Sequence, residues 1–244
     1  MTRPRAAAKN LLRPFYRGLV IYSAALIVKR RRPATIAENV DFVIKFKIRN
    51  FTIRPHQVRS EIEALMALLA EEKPRTVLEI GTALGGTLFL YTRVAAPDAL
   101  LITVDLADAT RRQFEGGDYK PNAPLYRAMA RARQKVVFLA GDSHDPTTLD
   151  RVKAQLGGRP VDFLFIDGDH SYDGVRSDYE MYAPLVRNGG LVAFHDIVEG
   201  RPEWVGGVPQ LWREIKNDSA TEFVKDHGQG GYGIGVLRTS ILKR

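Results

Sequence analysis

The sequence predicts a doubly wound α/β fold: a mostly parallel, seven-stranded sheet with a basic helical arm at its N-terminus. Three observations carry this expectation. Short apolar runs alternate with segments of helical period, the pattern of parallel strands with helices on both faces. Glycine and polar residues gather just after the runs, where ligands bind in such sheets. The 244 residues, 45% hydrophobic and 26% charged, suffice to bury a full core without covalent staples. Cysteine is absent, which excludes a disulfide framework, a thiolate metal site and a cysteine nucleophile, and suits a reducing compartment such as the cytoplasm.

The elements follow in order. Residues 57–72 place Val58, Ile62, Leu65, Met66, Leu68 and Leu69 at helical spacing, and Pro74 stops that helix. Thr76–Ile80, ending at Gly81, reads as a buried strand. Further strands are expected at 100–106, 136–139, 161–166 and 191–194, and two closing strands at 221–224 and 232–237. Helices are expected near 86–95, 123–133, 146–156, 172–186 and 208–217. Residues 1–55 read as the arm and 56–244 as the sheet domain.

The net charge of +8 is unevenly placed. Residues 1–32 hold nine basic side chains and no acid, which leaves 27 basic against 28 acidic groups in the rest. A nearly neutral body argues against a nucleic-acid groove across it. The arm's apolar run, Leu19 to Val28, reaches about 15 Å as a helix, half of what a spanning helix needs. It ends in Lys29-Arg30-Arg31-Arg32 rather than in a small-residue cleavage site. An interfacial helix facing anionic lipid and an arm docked on the body or on a second subunit of a homo-oligomer both fit.

Chemistry-bearing residues stand at five consecutive strand ends. Glu79 and Gly81-Thr82-Ala83-Leu84-Gly85-Gly86 close the first strand and Asp105 the second; Gly141-Asp142-Ser143-His144 follow the third. Asp167-Gly168-Asp169-His170 follow the fourth and His195-Asp196 end the fifth. Glycines at 81, 85 and 86 allow a sharp strand-to-helix turn and close approach of a ligand. Ala83 stands where a dinucleotide fingerprint would have its second glycine. Asp105, 24 residues past Gly81, can accept both hydroxyls of a ribose. Together they point to an adenosine-type ligand.

These residues resemble those of the class I methyltransferases, which use S-adenosylmethionine (SAM) and share a Rossmann-like fold. The stretch from Asp167 to Asp196 is similar to the metal-dependent sugar O-methyltransferases of the macrocin and mycinamicin type, and to the cephalosporin hydroxylase and rhamnosyl O-methyltransferase group. The resemblance covers about residues 57–238. It implies that Glu79, Gly81, Thr82 and Gly85 line the methionine side of the cofactor, that Asp105 holds the ribose, and that Asp142 and Ser143 sit by the adenine. It also implies metal ligands at Asp167, His195 and Asp196, with His195 where the sugar enzymes usually carry Glu, and a general base at His170.

Residue chemistry agrees with parts of that assignment and leaves others open. Asp167, His195 and Asp196 end neighbouring strands and can converge within about 5 Å, the strand spacing. Two carboxylates suit Mg²⁺; an added imidazole favours Mn²⁺, Fe²⁺ or Zn²⁺. A helix-capping role for the carboxylates is the alternative. An imidazole such as His170 can take a proton at neutral pH, Asp169 can serve as the base or orient it, and His170 can equally cap the next helix. Residues 107–122, with Phe114 and Tyr119, and residues 198–209, with Trp204, read as lids over the pocket. The expected function is a SAM-dependent O-methyltransferase, divalent-metal-dependent, acting on a hydroxyl of a sugar, glycolipid or other small molecule. The alternatives are a metal-independent enzyme, including one acting on nitrogen, or a non-catalytic cofactor-binding module recruited to membranes by the arm.

Overall fold

The computed structural model describes residues 18–32, 34–106 and 123–240; Phe114, Tyr119 and the rest of the 107–122 lid, with the first 17 residues of the arm, lie outside them. Two helices, α1 (18–30) and α2 (Ile36–Lys45), precede a short hairpin, β1 (Lys47–Ile48) and β2 (Phe51–Thr52). The body then runs α3 (Arg59–Glu72), β3 (Thr76–Ile80), α4 (Gly86–Val94), β4 (Leu100–Asp105), α5 (Ala123–Ala128), β5 (Lys135–Ala140), α6 (Pro146–Leu156), β6 (Val161–Ile166) and α7 (Tyr172–Tyr182). It closes with β7 (Val186–His195), α8 (Pro202–Val205), α9 (Val208–Ile215), β8 (Thr221–Phe223) and β9 (Ile234–Arg238).

The seven-stranded sheet has the order β5-β4-β3-β6-β7-β9-β8. Strands β3 to β7 pair in parallel, and β9 runs antiparallel to both β7 and β8. Alternate residues of each strand feed two cores. Val77, Leu101, Phe163 and Phe165 pack with α3 and α4 on one face. Leu78, Ile102, Leu164 and Ile166 pack with α6, α7 and α9 on the other. The order reverses at β3 and β6, so the loops leaving these two strands part on opposite sides and open a crevice.

Local chemistry sets the element ends. Asp145 caps α6 by accepting from the Thr147 amide, Pro146 opens the helix, and Gly157 ends it with φ +57°. Ser171 caps α7 through the Gly174 amide. The helix expected to reach 186 stops at Tyr182, because Pro184 cannot donate a helical hydrogen bond and Ala183–Leu185 form a 3-10 turn. Strand β7 then starts at Val186, five residues before its apolar run, with Gly189 at φ +74°. α5 ends at Ala128, short of 133, and Ala132 turns left-handed with φ +49°.

The arm is docked on the body wherever it is described. Ala24, Val28, Val40, Val43, Phe46 and Ile53 are buried in the same core as Leu65, Leu69 and Phe89. α2 opens on a reciprocal capping box between Thr35 and Glu38. Arg31 lies over the Phe42 ring, 4.9 Å from its centroid. Packing therefore does not separate residues 18–55 from the sheet domain.

Candidate active site

The centre of the site is the approach of the loops after β3 and β6. Gly81 donates to the Val104 carbonyl and Asp167 to that of Ile80, both at 2.9 Å. Gly81 adopts φ +91°, and a Cβ there would lie 2.0 Å from the Asp167 carbonyl oxygen. Only glycine permits this contact. The loop then passes through Ala83, left-handed with φ +44° at the position a dinucleotide fingerprint gives to glycine, and Gly85, φ +82°, into α4.

Carboxylates brace this loop. Asp105 accepts from the amides of Ala83, 2.9 Å, and Leu106, 2.7 Å. Glu79, by contrast, lies wholly beneath the loop. Its carboxyl accepts from the hydroxyls of Thr87 and Thr103, and Thr82 bonds Thr103 in turn. Burial pushes the Glu79 carboxyl up to about 8. Beside Asp105, the Gly141 amide donates to the Asp105 carbonyl at 2.9 Å, which brings Asp142 and Ser143 to the same strand-end edge. The Asp142 carboxylate caps the His144 amide at 2.9 Å, and Tyr182 donates to the Ser143 carbonyl at 2.8 Å.

Asp167, His170 and Asp196 converge, with one potential ligand atom of each lying within 4.8 Å of the others. His170 donates from Nδ1 to the Trp204 carbonyl at 2.5 Å, which leaves Nε2 facing Asp167 Oδ1 at 3.3 Å. A Cβ at Gly206 would lie 1.9 Å from the His170 carbonyl, so the tail of α8 closes on His170 only because residue 206 is glycine. His195, buried, donates from Nδ1 to Asp167 Oδ1 at 3.1 Å and lies 3.5 Å from Asp196 Oδ2. Its Nε2 is buried without a partner. The fourth member of the cluster is thus the imidazole expected as a ligand, and the imidazole expected as the base stands equally close to both carboxylates. Asp169 does not join them: it accepts from the Ser171 amide at 2.8 Å and packs on Gly174 at the start of α7.

The cluster is electrostatically tight. Burial disfavours an ionised Asp167, but the charges and hydrogen bonds of His195 and His170 outweigh it and hold the carboxyl well below the ordinary range. Burial likewise opposes charge on His170, and its hydrogen bond to Asp167 with the charges of Asp167 and Asp196 overrides this, raising it to about 9. His195 is raised by the same carboxylates, against its burial. Without further positive charge His170 is therefore protonated at neutral pH, unlike the free imidazole the sequence suggests. The donor set fits a divalent cation: two carboxylates meet two imidazoles, and every ion pair of Asp167 and Asp196 among the described residues is to histidine.

Four contributors escaped the sequence reading. Gln57 donates from Nε2 to Asp167 Oδ2 at 2.8 Å. Tyr232, left-handed with φ +63°, donates its amide to Asp196 Oδ1 at 2.9 Å. Glu61 holds the loop that carries Tyr232 through the Lys225 and Gly233 amides, both at 3.0 Å. Asp178, fully buried in α7, lies 3.3 Å from His144 Nε2. None has a local sequence signal, since each acts on a residue far along the chain.

Comparison with known proteins agrees with this fold. Residues 78–197 match the family described as a methyltransferase domain. The chain is 34% identical over 64 residues to demethylmacrocin O-methyltransferase of Streptomyces fradiae, covering 26% of this chain and 16% of that protein. It is 24% identical over 153 residues to rhamnosyl O-methyltransferase of Mycobacterium tuberculosis, covering 61% and 57%. The chain thus spans less than two thirds of the length of these curated relatives. The solved O-methyltransferase TomG of Streptomyces achromogenes in complex with SAM has the same fold, with a TM-score of 0.54 at 16% identity over 91% of this chain and 96% of that one. The matched residues 78–197 hold the glycine-rich loop, Asp105 and the Asp167–Asp196 cluster.

Proposed function

We propose that this chain is a SAM-dependent O-methyltransferase that acts on a hydroxyl of a sugar-bearing small molecule or glycolipid. The observation that carries the reading is the convergence of Asp167, His170 and Asp196 within 4.8 Å next to the glycine-rich loop. The adenosine of SAM would lie along the strand ends from Asp105 to Asp142 and Ser143. Its methionine end would enter the crevice between that loop and residues Arg54–Gln57, where Asp167 forms part of the lining. This orients the sulfonium methyl toward the cluster.

The chain's residues then have separate tasks. The Trp204 carbonyl fixes His170 with a proton on Nδ1, so Nε2 takes the proton of the acceptor hydroxyl. The acceptor oxygen attacks the methyl carbon, the carbon–sulfur bond breaks, and S-adenosylhomocysteine leaves. Gln57 and His195 orient Asp167, and the Tyr232 amide orients Asp196. A divalent cation such as Mg²⁺ or Mn²⁺, held by Asp167, Asp196 and an imidazole, would act as Lewis acid toward the hydroxyl and offset the carboxylate charge on His170. Exposed Trp204 and Tyr232 beside the cluster offer ring faces to an acceptor. A glycolipid acceptor would bring a cytoplasmic chain to an anionic lipid surface, which the basic arm complements in charge. Among the described residues no helix is long and apolar enough to cross a membrane.

A metal-independent variant of this reading would leave Asp167 and Asp196 neutralised by the two imidazoles alone, and would need a base other than the protonated His170. Calorimetry with S-adenosylhomocysteine tests both, and a methyl-transfer assay before and after chelation separates them. Binding of the nucleoside is expected in both. Loss of methyl transfer on chelation supports the metal, full activity after chelation supports the variant, and no nucleoside binding overturns both.

A further inference from the structure

We infer that the outward face of α1 docks on an anionic lipid bilayer, with Leu19, Tyr22 and Ile27 entering the headgroup region and Lys29, Arg30 and Arg32 pairing with lipid phosphates. The inward side of this helix, Ala24 and Val28, is fully buried. The outward side carries Leu19, Tyr22 and Ile27, 55%, 63% and 46% exposed. Six large hydrophobic residues are exposed among the described residues, and the other three are Leu106, Trp204 and Tyr232. Those three flank the candidate active site. No α1 residue joins the cluster or lines the crevice beside the glycine-rich loop among the described residues, and an exposed apolar patch of this kind marks an interaction surface.

Beside the patch, a groove of about 510 Å³ is lined by Ile27, Phe42, Phe46 and Ile48 together with five charged residues, Glu38 and Asp41 among them. Charge identifies the occupant. Lys29, Arg30 and Arg32 are exposed and make no ion pair among the described residues, and no acid precedes Glu38. The two nearby acids are already engaged: Glu38 caps α2 through Thr35, and Asp41 pairs with Lys45 and Arg59. The face therefore presents apolar side chains beside uncompensated positive charge, the composition of an interfacial helix on anionic lipid. A two-fold interface between copies would set this basic stretch against itself. Among the described residues no helix is long and apolar enough to cross a membrane, and the ten residues from Leu19 to Val28 of α1 reach about 15 Å against a bilayer core of about 30 Å.

This inference rests on the lipid-surface reading of the arm and not on methyl transfer. The test uses the full chain in a flotation assay with phosphatidylcholine vesicles, with and without phosphatidylglycerol. Binding is expected only to the anionic vesicles, and salt at about 0.5 M should release it by screening. Two triple variants, Leu19→Ser/Tyr22→Ser/Ile27→Ser and Lys29→Gln/Arg30→Gln/Arg32→Gln, should each lose roughly 10-fold or more in partitioning, with melting temperature and S-adenosylhomocysteine affinity unchanged. A wild-type chain that ignores anionic vesicles at low salt overturns both the lipid reading and the face. Unchanged binding by the apolar variant overturns the face alone. A wild-type dimer that the apolar variant splits assigns the face to a second copy and overturns the proposal.

Discussion

Glu61 and Asp196 grip consecutive amides of one loop: Glu61 Oε2 accepts from Gly233 at 3.0 Å and Asp196 Oδ1 from Tyr232 at 2.9 Å. Glu61 sits in α3, outside the cluster, yet it sets the backbone that orients a cluster carboxylate. Glu61→Ala leaves the Lys225 and Gly233 amides without their acceptor. The expected loss is about 1–3 kcal/mol per buried donor, read as a lower urea midpoint. Glu61→Gln keeps an acceptor oxygen and should lose less. A midpoint unchanged in Glu61→Ala would refute the brace.

Glu79 gives stability a pH dependence. Its carboxyl is raised from 4.5 to about 8 by burial, so folding favours the protonated form. Its contribution is fully present below pH 4.5 and lost as pH rises through 8. Glu79→Gln, which cannot ionise, should flatten the fall of the urea midpoint between about pH 4.5 and pH 8. Parallel curves for the variant and the wild type would place the ionisation elsewhere.

His170→Ala should cut methyl transfer by roughly 10²–10⁴-fold, the usual contribution of a positioned base, while S-adenosylhomocysteine binds as before. Asp167→Ala should damage turnover as much by another route, because it also frees Gln57 and His195. Excess Mg²⁺ or Mn²⁺ is expected to restore part of the Asp167→Ala activity and none of the His170→Ala activity. Full turnover by His170→Ala at neutral pH would move the base to another residue.

Asp105→Ala should weaken S-adenosylhomocysteine binding by roughly 1.5–3 kcal/mol, the range for hydrogen bonds to a charged acceptor. Part of that loss comes from the loop, since the Ala83 and Leu106 amides lose their acceptor. Asp105→Asn keeps one such oxygen and isolates the ribose contribution. An unchanged dissociation constant in both variants would remove Asp105 from the site.

The sheet was legible because a buried parallel strand is a short apolar run. Residues 146–156 and 161–166 match α6 and β6 residue for residue. Helix α2 was missed although Thr35 and Glu38 spell a capping box, because its apolar residues are interrupted by Glu38, Asn39 and Asp41. The hairpin strands are two residues each, too short for any period to show. Asp167, His170 and Asp196 were legible because strand ends collect chemistry. Glu61 and Gln57 were not: a polar residue in an amphipathic helix or before it reads as solvated, and their partners lie 110 to 172 residues away. Asp169, three residues before α7 begins, accepts from the Ser171 amide.

The position of β9 between β7 and β8 bears on synthesis at the ribosome. A nascent chain that has not yet delivered Ile234–Arg238 leaves β8 without a neighbour and β7 with a bare edge. The segment leading into β9 also brings Tyr232 and Gly233 to Asp196 and Glu61, so this corner of the cluster forms only once residues 232–238 have been made. Chains released before residue 232 therefore lack the amide that orients Asp196 and leave β7 with an open sheet edge, the kind of surface that invites aggregation.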